Sequence, residues 1–306
     1  MWFAQVGVGQ MCDASVKSCQ HDANYPTWSP TAIITPAAGR MTCRFADKAV
    51  WVPRPIKYTA RMDTVKRITS IEDRSFHCRV GESTCLYGVF DGHEGVQAAT
   101  FALERMAAEI LLGQLTGKST DEEIKEVLRQ AFITVERGYL ESVDDCLAQR
   151  TSLQYEIPDN LTPYEAYQKF PHLVDKLNSL NLELSSGTTA VVALVYGGRL
   201  YVANVGDSRA LLCRTDANGV LRVVQLSVDH DLHNEDELLR LSLLGLDVRK
   251  VARGSHLGNQ ENTRCLGNYL VKGGYKEFEE LADASTEPVI AEPEIHGGIV
   301  LDDSCR

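Results

Sequence analysis

Leu86-Tyr87-Gly88-Val89-Phe90-Asp91-Gly92-His93-Glu94-Gly95 decides how the chain folds. An apolar run of strand type ends abruptly in Asp-Gly-His, which puts a carboxylate and an imidazole where a buried strand leaves its sheet. Asp91 offers oxygen to a hard divalent cation, Gly92 lets a backbone carbonyl approach the same ion, and His93 supplies a proton donor or acceptor beside it. The same residues also suit a strand that stops at an ordinary turn. The decapeptide alone leaves both readings open.

Working outward, residues 1 to 60 have weak periodicity, prolines at 26, 30, 36, 53 and 55, and scattered polar residues. They are expected to form a poorly ordered N-terminal extension, with a strand at Ala49-Val50-Trp51-Val52 as the alternative. Residues 61–306 are expected to form the folded domain. Lys66, Arg67 and the pair Glu72-Asp73 precede a predicted strand at Phe76 to Val80, and a hairpin would bring those acids beside Asp91.

After Gly95 the pattern is helical from Val96 to about Leu115. Thr120-Asp-Glu-Glu123 is a capping box, after which Ile124, Val127, Leu128, Ala131, Phe132, Val135 and Tyr139 fall on one face of a helix predicted to reach Leu147. A third helix is predicted from Thr162-Pro163-Tyr-Glu165, resuming toward Leu180 after a break at Pro171. The period then becomes extended. Thr188 to Tyr196 and Arg199 to Val205 are joined by Gly197-Gly198, and Ala210 to Arg214 and Val220 to Leu226 flank a second turn. Asn234 caps a predicted helix through Leu244. Strands grouped around a block of helices, without β-α-β alternation, predict an α+β domain on largely antiparallel sheets.

A chain of 306 residues that is 44% hydrophobic can bury a full core. A formal net charge of −11 argues against a general attraction to nucleic acid or anionic membrane, and no apolar run reaches the length of a span. Met1-Trp2-Phe3-Ala4 lacks a basic leader, so no signal peptide is read there. Nine cysteines, an odd count with no C-x-x-C pair, imply a reducing, cytoplasmic compartment and exclude a zinc-ligand spacing. Cys85 and Cys213 lie in apolar runs and are read as core residues.

Four stretches in order, Tyr87 to His93, Ser186-Gly-Thr-Thr-Ala190, Val202-Ala-Asn-Val-Gly-Asp-Ser-Arg-Ala210 and Leu226-Ser-Val-Asp-His230, resemble the metal-dependent protein phosphatases of type 2C. The resemblance covers about residues 60 to 300. It implies a β-sandwich flanked by helices, and a binuclear Mg²⁺ or Mn²⁺ site that activates water for attack on phosphoserine or phosphothreonine. Carried over by motif, Asp91 bridges both metals, the Gly92 carbonyl binds one, Glu72 is a candidate ligand through water, and His93 is the candidate general acid. The phosphate-holding arginine of the family aligns with Ile68, beside Arg67.

Thr263-Arg-Cys-Leu-Gly-Asn-Tyr269 departs from that pattern, because Asn268 stands where the resemblance implies a metal-binding Asp. An amide keeps one oxygen and loses the charge. Two later acids of the family have no counterpart, Asp302 and Asp303 being read as solvated, so the sandwich is expected to be C-terminally truncated and the metal site incomplete. Further stretches, Ala107 to Leu115, Glu141 to Asp145, Asn234 to Leu241 and Ile290 to His296, are similar to the pseudophosphatase branch that binds and activates the TGF-β-activated kinase. That branch carries its kinase-binding segment beyond the phosphatase-like domain, and such a segment is not expected before Arg306. The resemblance thus implies a catalytically impaired adaptor in kinase signalling. An active serine/threonine phosphatase represented by a fragment or isoform is the rival, and a metal-free structural module is a third.

Overall fold

The computed structural model describes residues 72–302, apart from Glu82 and Ser255, and the backbone of short strands between residues 2 and 49. Those strands are β1 (Trp2–Val6), β2 (Pro30–Ile34), β3 (Pro36–Ala37), β4 (Arg40–Met41), β5 (Cys43–Phe45) and β6 (Lys48–Ala49). They lie within the segment read from sequence as a poorly ordered extension, most of which, with Val50 to Val52, is outside the described residues.

The centre is a five-stranded antiparallel sheet of β7 (Arg74–Val80), β8 (Thr84–Phe90), β11 (Ala190–Tyr196), β12 (Arg199–Val205) and β16 (Glu294–Val300), in the order β16-β12-β11-β8-β7. Its middle strands are apolar on both faces because both faces are covered. Leu86, Phe90, Val192, Leu194, Tyr201 and Ala203 point one way, toward α1 (Gln97–Leu111) and α2 (Asp121–Ser142). Tyr87, Val191, Ala193, Leu200 and Val202 point the other way, and join Ala210, Leu212 and Leu226 in a second core. The alternation is strict along all three strands, as the period of two requires. It fixes the layers as helices, sheet, sheet.

The second sheet runs β14-β13-β2-β1-β5-β6, with β13 (Arg209–Thr215) and β14 (Leu221–Gln225) as a hairpin. Here the expectation of antiparallel pairing holds only in part, since β2 is parallel to both β1 and β13. No hairpin turn connects these partners, so nothing local enforces antiparallel pairing.

The capping box at Thr120 forms as predicted, with Glu123 N donating to Thr120 Oγ1 at 3.3 Å and Thr120 N donating to Glu123 at 3.1 Å. The predicted helix to Leu147 is broken at buried Val143, where φ −100° and ψ 5° end α2 and start α3 (Asp144–Glu156). Asp144 and Asp145 then occupy the first turn of a new helix, where its dipole favours carboxylates. Pro171 likewise separates α4 (Pro163–Lys169) from α5 (Pro171–Ser185). Asn234 caps α6 (Glu235–Leu243) by accepting from Asp236 N and Glu237 N. α7 (Val248–Gly254) and the segment to Val289 pack with α6 around a third core. Cys213 is buried and Cys85 half-buried against the second core, and burial raises both thiol pKa values. No helix among the described residues is long and apolar enough to cross a membrane.

Candidate metal centre

Three short strands meet at the end of the central sheet. β9 (Gly92–His93) pairs with β10 (Gly187–Thr188), and β10 pairs with β15 (Leu266–Gly267), so that Gly187 lies opposite both His93 and Gly267. This register places His93 and Asn268 on either side of Gly187. A Cβ at Gly187 would stand 2.3 Å from His93 Nε2 and 3.0 Å from Asn268 Cβ, so only glycine leaves room. Gly92 is as tightly placed, because a Cβ there would be 2.7 Å from the Glu72 carbonyl oxygen.

The stretch Ser186 to Ala190 ties these strands to their neighbours. Ser186 Oγ accepts the Ala98 N–H at 3.2 Å, supplying the cap that the first turn of α1 lacks within its own sequence. Ser186 O accepts the Asn268 N–H at 2.8 Å. Thr189 N donates to Asp91 O at 2.9 Å, and Thr189 Oγ1 shares a hydrogen bond of 2.6 Å with Ser208 Oγ beside Asp207.

On the acidic side, Asp91 is brought together with Glu72, Asp73 and Asp207. Burial pushes the Asp91 carboxyl up to about 9, and a hydrogen bond with Asp73, then the charges of Asp73, Asp207 and Glu72, add to the effect. Four carboxylates with one neutralised by its neighbours are chemically suited to a hard cation with oxygen ligands. Even so, no group of three or more His, Cys, Asp or Glu side chains among the described residues has the arrangement of a metal cage.

His93 follows on β9, with its ring against Gly187. Burial lowers its pKa to about 4; the Gln260 side chain opposes this and the Lys272 ammonium reinforces it. Its Nε2 is buried and makes no hydrogen bond of good geometry. The imidazole is neutral at ordinary pH, so it reaches the cationic state of a general acid only well below neutrality.

Asn268 is fully buried, in the left-handed region at φ 55° and ψ 69°. Its Nδ2 donates to Asn259 Oδ1 at 3.0 Å and to Gln260 Oε1 at 2.8 Å, while its Oδ1 has no partner. Next to it, the Lys272 ammonium is buried against the Glu136 carboxylate and donates to Cys265 O at 2.8 Å. Glu136 also accepts the Gly267 N–H at 2.7 Å, so α2 holds β15 in place.

Of the residues expected from sequence, Glu72, Asp91, Gly92, His93 and Asn268 surround this point, whereas Arg67 and Ile68 lie outside the described residues. Asp302 is exposed, and Asp303 also lies outside the described residues. Asp73 was expected beside Asp91 together with Glu72, whereas Asp207 was missed as a partner although it sits in the stretch Val202 to Ala210. Asn259, Gln260, Lys272 and Glu136 carried no signal, since uncharged amides in a loop and one acid on an amphipathic helix have no diagnostic spacing.

Asp91, Asp73, Glu72 and Asp207 thus have the donor chemistry of a hard-cation site without the arrangement of a cage, and the Asn268 side does not fit the second ion of a binuclear centre. A second ion at Asn268 would meet a neutral amide whose NH₂ is already engaged, with neutral His93 across Gly187.

The protein phosphatase 2C family profile matches residues 62–305. The chain is 32% identical over 220 residues to "Probable protein phosphatase 2C 47" of Oryza sativa subsp. japonica, covering 72% of this chain and 44% of that protein. It is 30% identical over 204 residues to "Probable protein phosphatase 2C 2" of Paramecium tetraurelia, covering 66% and 56%. The chain thus spans about half the length of these curated relatives. Among solved structures it is similar to a serine-threonine phosphatase 2C from Toxoplasma gondii, at TM-score 0.42 and 19% identity over 82% of this chain and 77% of that one. A C. elegans sex determining protein matches at TM-score 0.49 and 17% identity, over 80% and 49%. A profile match across most of the chain, with Asp91-Gly92-His93 at the end of a central strand, has one meaning: the chain belongs to the protein phosphatase 2C family.

Proposed function

We propose that the chain is a catalytically impaired, phosphatase-like adaptor in kinase signalling, related to the activator of the TGF-β-activated kinase. The observation that carries the catalytic half is Asn268, a buried amide that points its NH₂ at two side-chain oxygens where the family chemistry asks for a carboxylate. Two-metal hydrolysis needs both ions held about 3.5–4 Å apart, with the attacking water between them. Asp91 and its neighbours could hold one Mg²⁺ or Mn²⁺, which would polarise a bound oxygen. The chain's own residues would then position Asp91 through Thr189 and keep His93 neutral, and supply no second anionic site. The adaptor half is supported by the stretches Ala107 to Leu115, Glu141 to Asp145, Asn234 to Leu241 and Ile290 to His296.

A second reading, an active Mg²⁺- or Mn²⁺-dependent serine/threonine phosphatase, is favoured by the intact Asp91-Gly92-His93 and by relatives that are named probable protein phosphatases. Co-purification of the chain with tagged TGF-β-activated kinase tests the adaptor assignment. Retention through the domain surface without activation of the kinase is expected; strong activation by residues 1–306 alone would contradict it, and no retention would remove that assignment.

A further inference from the structure

Gln260 is fixed in one orientation. Its Nε2 donates to the Asn262 carbonyl oxygen at 2.6 Å, and a backbone carbonyl can only accept, so the amide cannot turn over. Its Oε1 accepts from Cys265 Sγ at 3.4 Å and from Asn268 Nδ2 at 2.8 Å. Asn268 in turn is anchored by its backbone, whose N–H reaches Ser186 O, immediately before β10. The loop from Leu257 to Cys265 is thereby closed onto β10 by neutral hydrogen bonds whose polarity runs one way, from the Asn268 NH₂ outward.

We infer that Asn268 is a hydrogen-bond donor around which the Asn259–Cys265 loop has been rebuilt, so that an amide network cross-links this side of the site where a cation would otherwise do so. The position is not one substitution away from a metal ligand. A carboxylate at 268 has no hydrogen to give, and it would face Gln260 Oε1 in a site without solvent. Asn259 has room to answer by turning its own amide; Gln260 does not. Left-handed backbone is tolerated by both Asn and Asp, so exchanging them changes only the side-chain chemistry.

This deepens the reading of the site as impaired and rests on it, but its test uses no substrate. Thermal melting of the full 306-residue chain is compared for wild type, Asn268→Gly, Asn268→Asp and Asn259→Asp, each in EDTA and in Mn²⁺. Asn268→Gly, at ease in the left-handed region, sets the cost of losing the whole side chain, donors and buried volume together. Asn268→Asp should melt below it, roughly 5 °C or more under wild type, with faster hydrogen exchange at the Asn268 amide. Asn259→Asp keeps the acceptor and should melt within about 2 °C of wild type. Asn268→Asp equal to wild type in EDTA, or raised above it by Mn²⁺, would overturn the inference, as would an Asn259→Asp loss as large as that of Asn268→Asp. Phosphate release by wild type would defeat the catalytic reading and leave these melting differences unexplained by it.

Discussion

The ammonium of Lys272 is buried against the carboxylate of Glu136, which joins α2 to the strand leading into Asn268. Burial alone would lower the Lys272 pKa, yet the Glu136 charge and hydrogen bond raise it. Removing one member strands the other in a low-dielectric site. Lys272→Met should therefore cost about 3–5 kcal/mol in urea unfolding, and Glu136→Gln less, because it still offers an oxygen to Gly267 N. In a double-mutant cycle the pair should be strongly coupled, and additive losses would show that the two charges act independently.

A second buried network sets the acid response. Glu237 is almost fully buried; burial alone would raise its pKa, but hydrogen bonds from Arg264, Arg240 and Thr263 hold it at about 2. Its folded pKa is below the unfolded value, so the stability it gives is complete above about 4.5 and is lost as pH falls toward 2. The loss should approach about 3 kcal/mol. Wild type should lose stability through this window, and Glu237→Gln should start less stable at pH 7 and show a shallower acid slope. Parallel slopes would assign the acid response to other groups.

Asp91 is crowded by Asp73, Asp207 and Glu72, so without a cation its charge opposes folding. Asp91→Asn should raise the melting temperature in EDTA and abolish any increase caused by Mn²⁺. A melting temperature that falls in EDTA would mean that the carboxylate has a structural partner stronger than the repulsion.

Gly187→Ala tests the close approach of His93 and Asn268. The new methyl must displace His93 Nε2 from 2.3 Å, and β10 is bonded on both edges, so strain of about 1–3 kcal/mol is expected in equilibrium unfolding. An unchanged midpoint would show that His93 swings out freely.

The elements that the sequence announced are those whose signals are local. The capping boxes at Thr120 and Thr162 and the Asn234 cap start helices where expected, because three or four residues satisfy the first backbone N–H groups by themselves. Strand β16 was not foreseen. Gly297 and Gly298 interrupt its apolar alternation, yet Gly297 lets the backbone pass the Tyr201 ring, where a Cβ would be 2.5 Å from a ring carbon. In the site, the strand-end Asp91 and His93 were legible because Asp-Gly-His closes an apolar run. Asp207 and Gln260 were not, since 116 and 169 residues separate them from Asp91 and only the sheet register brings them near.

Release of phosphate from a phosphothreonine peptide in excess Mn²⁺, compared between wild type, Asp91→Ala and Asn268→Asp, tests the central claim most directly. Wild type and Asn268→Asp should both stay at the level of Asp91→Ala. Robust Mn²⁺-dependent turnover by wild type that Asp91→Ala abolishes would contradict it.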